Sequence, residues 1–256
     1  MAYNFQDRAA LITGAGHGIG RATAFKMAKL GAVVGVNDLR QEFVDEVVDT
    51  IRKAGGIAVP IVQNVATREG IRAAVASLTD HAGRLDILVN NAAWVRYQAV
   101  GDIAADTMEK MLDIGFKSVI WGIQAAAEAM DSERGGAIVN VASAAGFRSA
   151  PRTMVYSGIK AGVMGITRAA AAELGARNIR VNAVAPSAVP TEGTQKHRSA
   201  ELDAWRIQST PMGRLGTVGD VADAICMLSS NDASFITAQV LYVDGGISRT
   251  NLQTGA

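Results

Sequence analysis

The chain carries one cysteine, Cys226, and three histidines, His17, His81 and His197, among its 256 residues. A lone thiol can close no internal disulfide, and Cys226 reads as a small apolar filler on a late helix. So few histidines and thiols, none of them clustered, argue against a structural zinc site. Acidic and basic side chains nearly cancel, leaving a net charge of +1. Lys and Arg are scattered, so no basic face is built for nucleic acid. No apolar run reaches the roughly 20 residues that cross a bilayer, and Met1 to Arg8 is too short and polar for a signal peptide. Linkers, tandem repeats and low-complexity tracts are also missing. What these absences leave is a cytoplasmic globular protein. With 49% apolar residues, the chain can build a substantial core in a single domain spanning 1–256.

Apolar runs of strand length alternate with helical patterns throughout. Strands are expected near 9–13, 33–38, 58–63, 86–90, 137–142, 180–185 and 239–243. Helices are expected near 18–30, 41–54, 67–82, 107–130, 153–175 and 218–229. Such alternation builds βαβ units, hence an α/β protein with a parallel sheet covered by helices on both faces. Right-handed crossovers make the sheet doubly wound. One stretch, 187–216, breaks the rhythm. It is polar, contains Pro190 and Pro211, and follows a strand's carboxyl end, so it is expected to form a mobile lid.

Tyr156 and Lys160 stand four residues apart, one helical turn from each other on the same face. An ammonium that close stabilises a phenolate, and the spacing predicts a Tyr156 drawn from about 10 toward neutrality, able to act as acid or base. The strand-length run Ala9 to Thr13 leads into Gly14, Ala15, Gly16, His17, Gly18, Ile19 and Gly20, and an amphipathic helix follows. Strand, glycine turn and helix make a phosphate site, because backbone N–H groups and a helix N-terminus face the anion. Asp38 ends the next apolar run, about 20 residues beyond the turn, where a carboxylate can accept both ribose hydroxyls. It repels a 2′-phosphate, so NAD is favoured over NADP; Arg40 reads as a solvated helix-start residue. Ser143 follows the buried run Ala137 to Val141 and stands thirteen residues before Tyr156, at a strand end where parallel sheets bind ligands.

Together these motifs resemble the short-chain dehydrogenase/reductase family in its compact one-domain form. The matching residues are Thr13-Gly14 with Gly18 and Gly20, Asn90-Asn91-Ala92, Ser143 with Tyr156 and Lys160, Asn182 to Pro186, and Gln239 to Gly246. The resemblance runs from about Phe5 to Gly246. It implies a Rossmann-like sheet of about seven strands and hydride transfer between NAD(H) and a secondary alcohol or ketone. Tyr156 would be the general acid or base. Lys160 would lower its pKa and bind the nicotinamide ribose, and Ser143 would hold the substrate oxygen. The resemblance further places Asn64 and Val65 at the adenine, Asn91 near the adenine ribose and the sheet, and Val189 and Thr191 at the carboxamide. It also implies a homotetramer.

The chain departs from the family pattern at Gly115, where an Asn is usual, and at Ala93 and Ser187, where glycines are usual. Waters in the volume vacated at Gly115 are expected to keep a proton path from Lys160. Gly115 is also the one argument for the alternative reading, a non-catalytic protein that senses NAD or a metabolite. Substrate contacts are expected from Trp94, Arg96, Tyr97, Phe147, Arg148, Arg152, His197, Arg198 and Trp205. The recurrence of arginine suggests a substrate carrying an anion or a polar ring.

Overall fold

The computed structural model describes residues 3–250, except the side chains of Lys196 and His197. Seven strands form one sheet: β1 (Ala9–Thr13), β2 (Val33–Asp38), β3 (Ile57–Val62), β4 (Ile87–Asn90), β5 (Gly136–Val141), β6 (Ile179–Pro186) and β7 (Val240–Val243). All pairings are parallel, in the order β3-β2-β1-β4-β5-β6-β7. The expected doubly wound α/β sheet is therefore present, with strand ends within a residue or so of those read from the apolar runs.

The period of two along each strand divides the core. Ala10 and Ile12 of β1 join one apolar cluster with Met27, Val34, Val44 and Ile225. Ala9 and Leu11 join another with Ile71, Leu78, Leu88 and Ile138. The first is covered by α1 (Gly18–Lys29), α2 (Gln41–Lys53) and α8 (Val218–Ser229), the second by α3 (Arg68–Ala82), α5 (Ser118–Ala129) and α6 (Met154–Leu174). Burial on both faces explains why the strands read as continuous apolar runs. Asp86 pins the sheet's lower edge: its carboxylate accepts the Ala9 N–H at 2.8 Å and Arg84 Nε at 2.7 Å.

Two expectations change. The single helix near 107–130 is divided into α4 (Ala105–Leu112), a π-helical turn over Asp113–Lys117, and α5. The wider turn inserts an extra residue, and inside it the Phe116 ring takes the space that a Cβ on Gly162 of α6 would need. Such one-turn π segments are frequent at functional sites. The second change is in 187–216, which is not irregular: it contains a 3₁₀ turn over Glu192–His197 and the helix α7 (Ala200–Ser209). Ser199 caps α7 by accepting the Leu202 N–H at 3.2 Å, and Glu201 and Asp203 complement the helix dipole. No residue of α7 is buried, so its sequence lacks the apolar stripe that announces a helix. Among the described residues no helix is long and apolar enough to cross a membrane.

Candidate active site

The strand order reverses between β1 and β4, and the crevice above their carboxyl ends is where open α/β sheets take ligands. The glycine turn stands there. Gly14 has φ +62°, and a Cβ on it would lie 3.0 Å from Ala92 Cα. A Cβ on Gly20 would lie 2.3 Å from the Gly14 oxygen, so only glycine allows α1 to start this close to the strand. The first turn of α1 has no acidic residue, and its N-cap, His17, supplies no side-chain hydrogen bond. The caps of α3 and α8 differ: Thr67 and Thr217 each accept a first-turn N–H. The N-terminus of α1 is thus left to an anion from outside the chain. These residues fit a dinucleotide's pyrophosphate.

Asp38, at the end of β2, faces the turn. Its Oδ2 accepts the Gly16 N–H at 3.2 Å and lies 3.9 Å from His17 Nδ1, while Oδ1 accepts the Leu39 N–H at 2.8 Å. Arg40 stacks on Phe43, 3.4 Å from the ring centroid, and approaches Glu42 at 3.6 Å. Asn91 ties the two central strands together. Its amide donates to the Thr13 and Gly14 carbonyls at 2.9 and 3.0 Å. Asn64 is exposed, and its Oδ1 accepts the Ala66 N–H at 3.1 Å, capping its own turn. Val65 and Val189 are buried. Thr191 packs on the glycine turn, since a Cβ on Gly18 would meet its Cγ2 at 3.3 Å. Segment 187–216 is latched there by Arg21 Nη2 donating to Glu192 Oε1 at 2.5 Å.

The second half of the site rises from β5 and α6. Ser143 continues the extended backbone of β5. Its Oγ accepts the Ala145 N–H at 3.2 Å and donates to the Pro186 carbonyl at 3.5 Å, and its hydroxyl stands beside the Tyr156 phenol. Lys160 is buried, and its Nζ donates to the Val141 carbonyl at 2.6 Å. Ser143, Tyr156 and Lys160 are therefore brought together, but their ionisation differs from the reading of the spacing. Part of Tyr156 reaches the surface, yet enough protein surrounds its phenol that burial pushes it up to about 12; nearby Tyr97 raises it further, and the Ser143 hydroxyl opposes this weakly. Burial also lowers Lys160 to about 8. The ammonium lies 5.9 Å from the Tyr156 ring centroid and is engaged by a carbonyl, so it does not draw the phenol toward neutrality. Desolvation outweighs the short sequence spacing.

At Gly115, a Cβ would meet Ile159 Cγ2 at 3.2 Å, so Ile159 crowds the point from which a side chain would start.

The predicted substrate contacts separate. Tyr97 reaches Tyr156, with ring centroids 5.8 Å apart and edge-on. Trp94 packs under Lys110, whose Nζ is 4.5 Å from the ring centroid. Phe147 turns instead to Tyr242, at 5.9 Å, with Arg249 4.2 Å over its ring. Arg148 donates to the Ile247 carbonyl at 2.6 Å. Arg198 pairs with Asp203 at 2.6 Å within the lid segment. Arg152, in the left-handed region at φ 68°, offers its carbonyl to the Gln98 N–H at 3.0 Å. Arg96 and Trp205 are exposed, and the His197 side chain lies outside the described residues. Sequence reading missed the Arg21–Glu192 latch, which leaves no spacing signal. Among the described residues no group of three or more His, Cys, Asp or Glu side chains is placed to hold a metal.

Comparison with known proteins places this geometry. The profile of a family described as enoyl-(acyl carrier protein) reductase matches residues 14–248. A 3-oxoacyl-(acyl-carrier-protein) reductase from Thermotoga maritima is 37% identical over 244 residues, covering 94% of this chain and 98% of that protein. The solved gluconate 5-dehydrogenase of Burkholderia cenocepacia, in complex with NADP and tartrate, superposes with TM-score 0.93 at 30% identity, covering 98% of each chain. A 7α-hydroxysteroid dehydrogenase complexed with NADH and 7-oxo glycochenodeoxycholic acid superposes with TM-score 0.92 at 31% identity, covering 97% of each chain. The chain belongs to the short-chain dehydrogenase/reductase family, and it is an oxidoreductase of that family.

Proposed function

We propose that this oxidoreductase interconverts a ketone and a secondary alcohol with NAD(H), Tyr156 handling the proton. One observation carries the reading: a half-buried phenol, with Ser143 beside it and Lys160 one helical turn on, stands at the carboxyl edge of the sheet that also bears an uncapped glycine turn. A nicotinamide dinucleotide, when bound, supplies or accepts the hydride. The residues Gly14, Gly16, Gly18, Ile19 and Gly20 would seat its pyrophosphate, and Asp38 its adenosine ribose. A phenol with a pKa near 12 is protonated at neutral pH. That is the state needed to give a proton to a ketone oxygen as it becomes an alkoxide. Ser143 would donate to the same oxygen and hold it in place. In the oxidative direction Tyr156 would take up the alcohol's proton as a phenolate, and Lys160 would hold the nicotinamide ribose.

The relatives' names share a keto or hydroxyl carbon on otherwise different molecules. Their solved complexes include both NADP and NADH. Asp38 argues for NAD here, because its carboxylate would repel a 2′-phosphate. The segment 187–216 would act as the lid. The family resemblance implies a homotetramer, and exposed Met108, Ile120 and Met154 on α4, α5 and α6 supply apolar surface for self-association.

Nicotinamide absorbance, followed with a panel of ketones and alcohols and with both NAD and NADP, tests the reading. Wild-type turnover with NAD should fall by about 10²-fold or more in Tyr156→Phe, with dinucleotide binding retained. Turnover that survives this substitution would refute the assignment.

A further inference from the structure

Tyr97 arrives at the site from the loop after β4, placed there by a ring contact and by the hydrogen bonds of its neighbour Gln98. Its ring meets the Tyr156 ring edge-on at an interplanar angle of 77°. The next residue, Gln98, donates its backbone N–H to Arg152 just ahead of α6, and its side chain donates to the Asp102 carbonyl at 2.6 Å. The loop is thereby pinned to the helix that bears Tyr156. The positive charge of Arg206 on α7 favours the ionised form of Tyr97 and opposes the upward push of burial. Arg206 is itself oriented by Asp203, 3.4 Å away, which also holds Arg198.

We propose that Tyr97 is a positioning residue joining the lid helix α7 to the Tyr156 phenol. Its ring edge sets the orientation of the Tyr156 ring, and its hydroxyl end, through Arg206, sets how α7 sits over the substrate. The inference rests on Tyr156 being the proton handler proposed above. The two halves of the side chain then have separate consequences. Loss of the ring misplaces the reacting hydroxyl, and misplacement of about 1 Å can cost about 10²-fold in rate. Loss of the hydroxyl or of Arg206 loosens the lid and weakens substrate binding without touching the proton transfer.

Steady-state kinetics on the full-length protein tests both halves. Tyr97→Leu should lower kcat by about tenfold or more while leaving the KM for dinucleotide unchanged. Tyr97→Phe keeps the ring and should restore kcat, but raise the substrate KM by about threefold or more. Arg206→Met should raise the substrate KM by a similar factor, and the double variant no further, because the two groups act through one contact. Wild-type kcat in Tyr97→Leu, or KM effects that multiply in the double variant, would overturn the proposal.

A spectroscopic arm works without turnover and so separates this proposal from the assigned reaction. The alkaline titration of Tyr156 is obtained as the difference between each protein and its Tyr156→Phe counterpart. Around this phenol lie Tyr97, Ser143 and Lys160. Removing the Tyr97 hydroxyl removes a like charge formed at high pH, so Tyr156 should ionise at lower pH in Tyr97→Phe. An unchanged titration would refute the contact even if the enzyme proved inactive.

Discussion

Lys160 is held against its own chemistry, and that can be measured. An ammonium whose pKa falls from the ordinary 10.5 to about 8 on folding costs about 3 kcal/mol at neutral pH, at about 1.4 kcal/mol per pH unit. The conversion is warranted because Lys160 is only 4% exposed. The sign follows from proton counting. Between about pH 8 and about pH 10.5 the unfolded chain keeps the Lys160 proton and the folded chain has lost it. Stability therefore rises with pH across that window. Below about pH 8 the full cost is present; above about pH 10.5 it is gone. In Lys160→Met the titration disappears. The variant also orphans the Val141 carbonyl, which costs about 1 to 3 kcal/mol, but that loss is the same at every pH. The stability of wild type minus that of Lys160→Met should thus rise by about 2 to 3 kcal/mol between about pH 7 and about pH 10. Urea unfolding of both proteins, without dinucleotide, supplies the difference, and all other titrating groups cancel. A difference that stays flat over this range would show that Lys160 is not desolvated as described.

Three further outcomes are expected. Gly115→Asn, which forces a side chain against Ile159 Cγ2, should destabilise the fold by about 1 to 3 kcal/mol; Ile159→Ala in the same chain should recover part of the loss in thermal unfolding, and a single variant as stable as wild type would show that the space is open. Glu192→Ala removes the exposed latch to Arg21, so stopped-flow release of NAD should speed up by no more than about fivefold, as befits a surface ion pair. Asp220 completes the capping box of α8 with Thr217, and hydrogen bonding from Arg214 holds its carboxyl far below the usual carboxylate range; Asp220→Ala should cost about 1 kcal/mol at neutral pH. Because the folded pKa is depressed, that difference in melting should be complete above about pH 4 and shrink as the pH falls further.

Much of the architecture was legible because its signals are local. Strands buried on both faces, such as Ala9–Thr13, appear as unbroken apolar runs. Helices α3 and α8 begin within a residue of the positions their periodicity indicates. The π turn at Asp113–Lys117 was not legible, since one inserted residue scarcely alters helical periodicity and the neighbour of its Phe116 ring, Gly162, lies across the fold. Nor was α7, which is held by a cap and charges rather than by an apolar stripe.

The same division runs through the site. Residue order alone put a glycine turn between a strand and a helix, a carboxylate at the end of β2, and a tyrosine one turn from a lysine. Local chain geometry suffices for that. How those groups ionise was decided only by the packed molecule. The spacing of Tyr156 and Lys160 suggested a phenol near neutrality, but desolvation by atoms from several elements drives it to about 12 and the lysine to about 8. The partners of the arginines were settled in the same way: Arg148 and Arg198 found acceptors in the C-terminal segment and in α7. Charge and access depend on everything within a few ångströms in space, and a sequence records only what lies next along the chain.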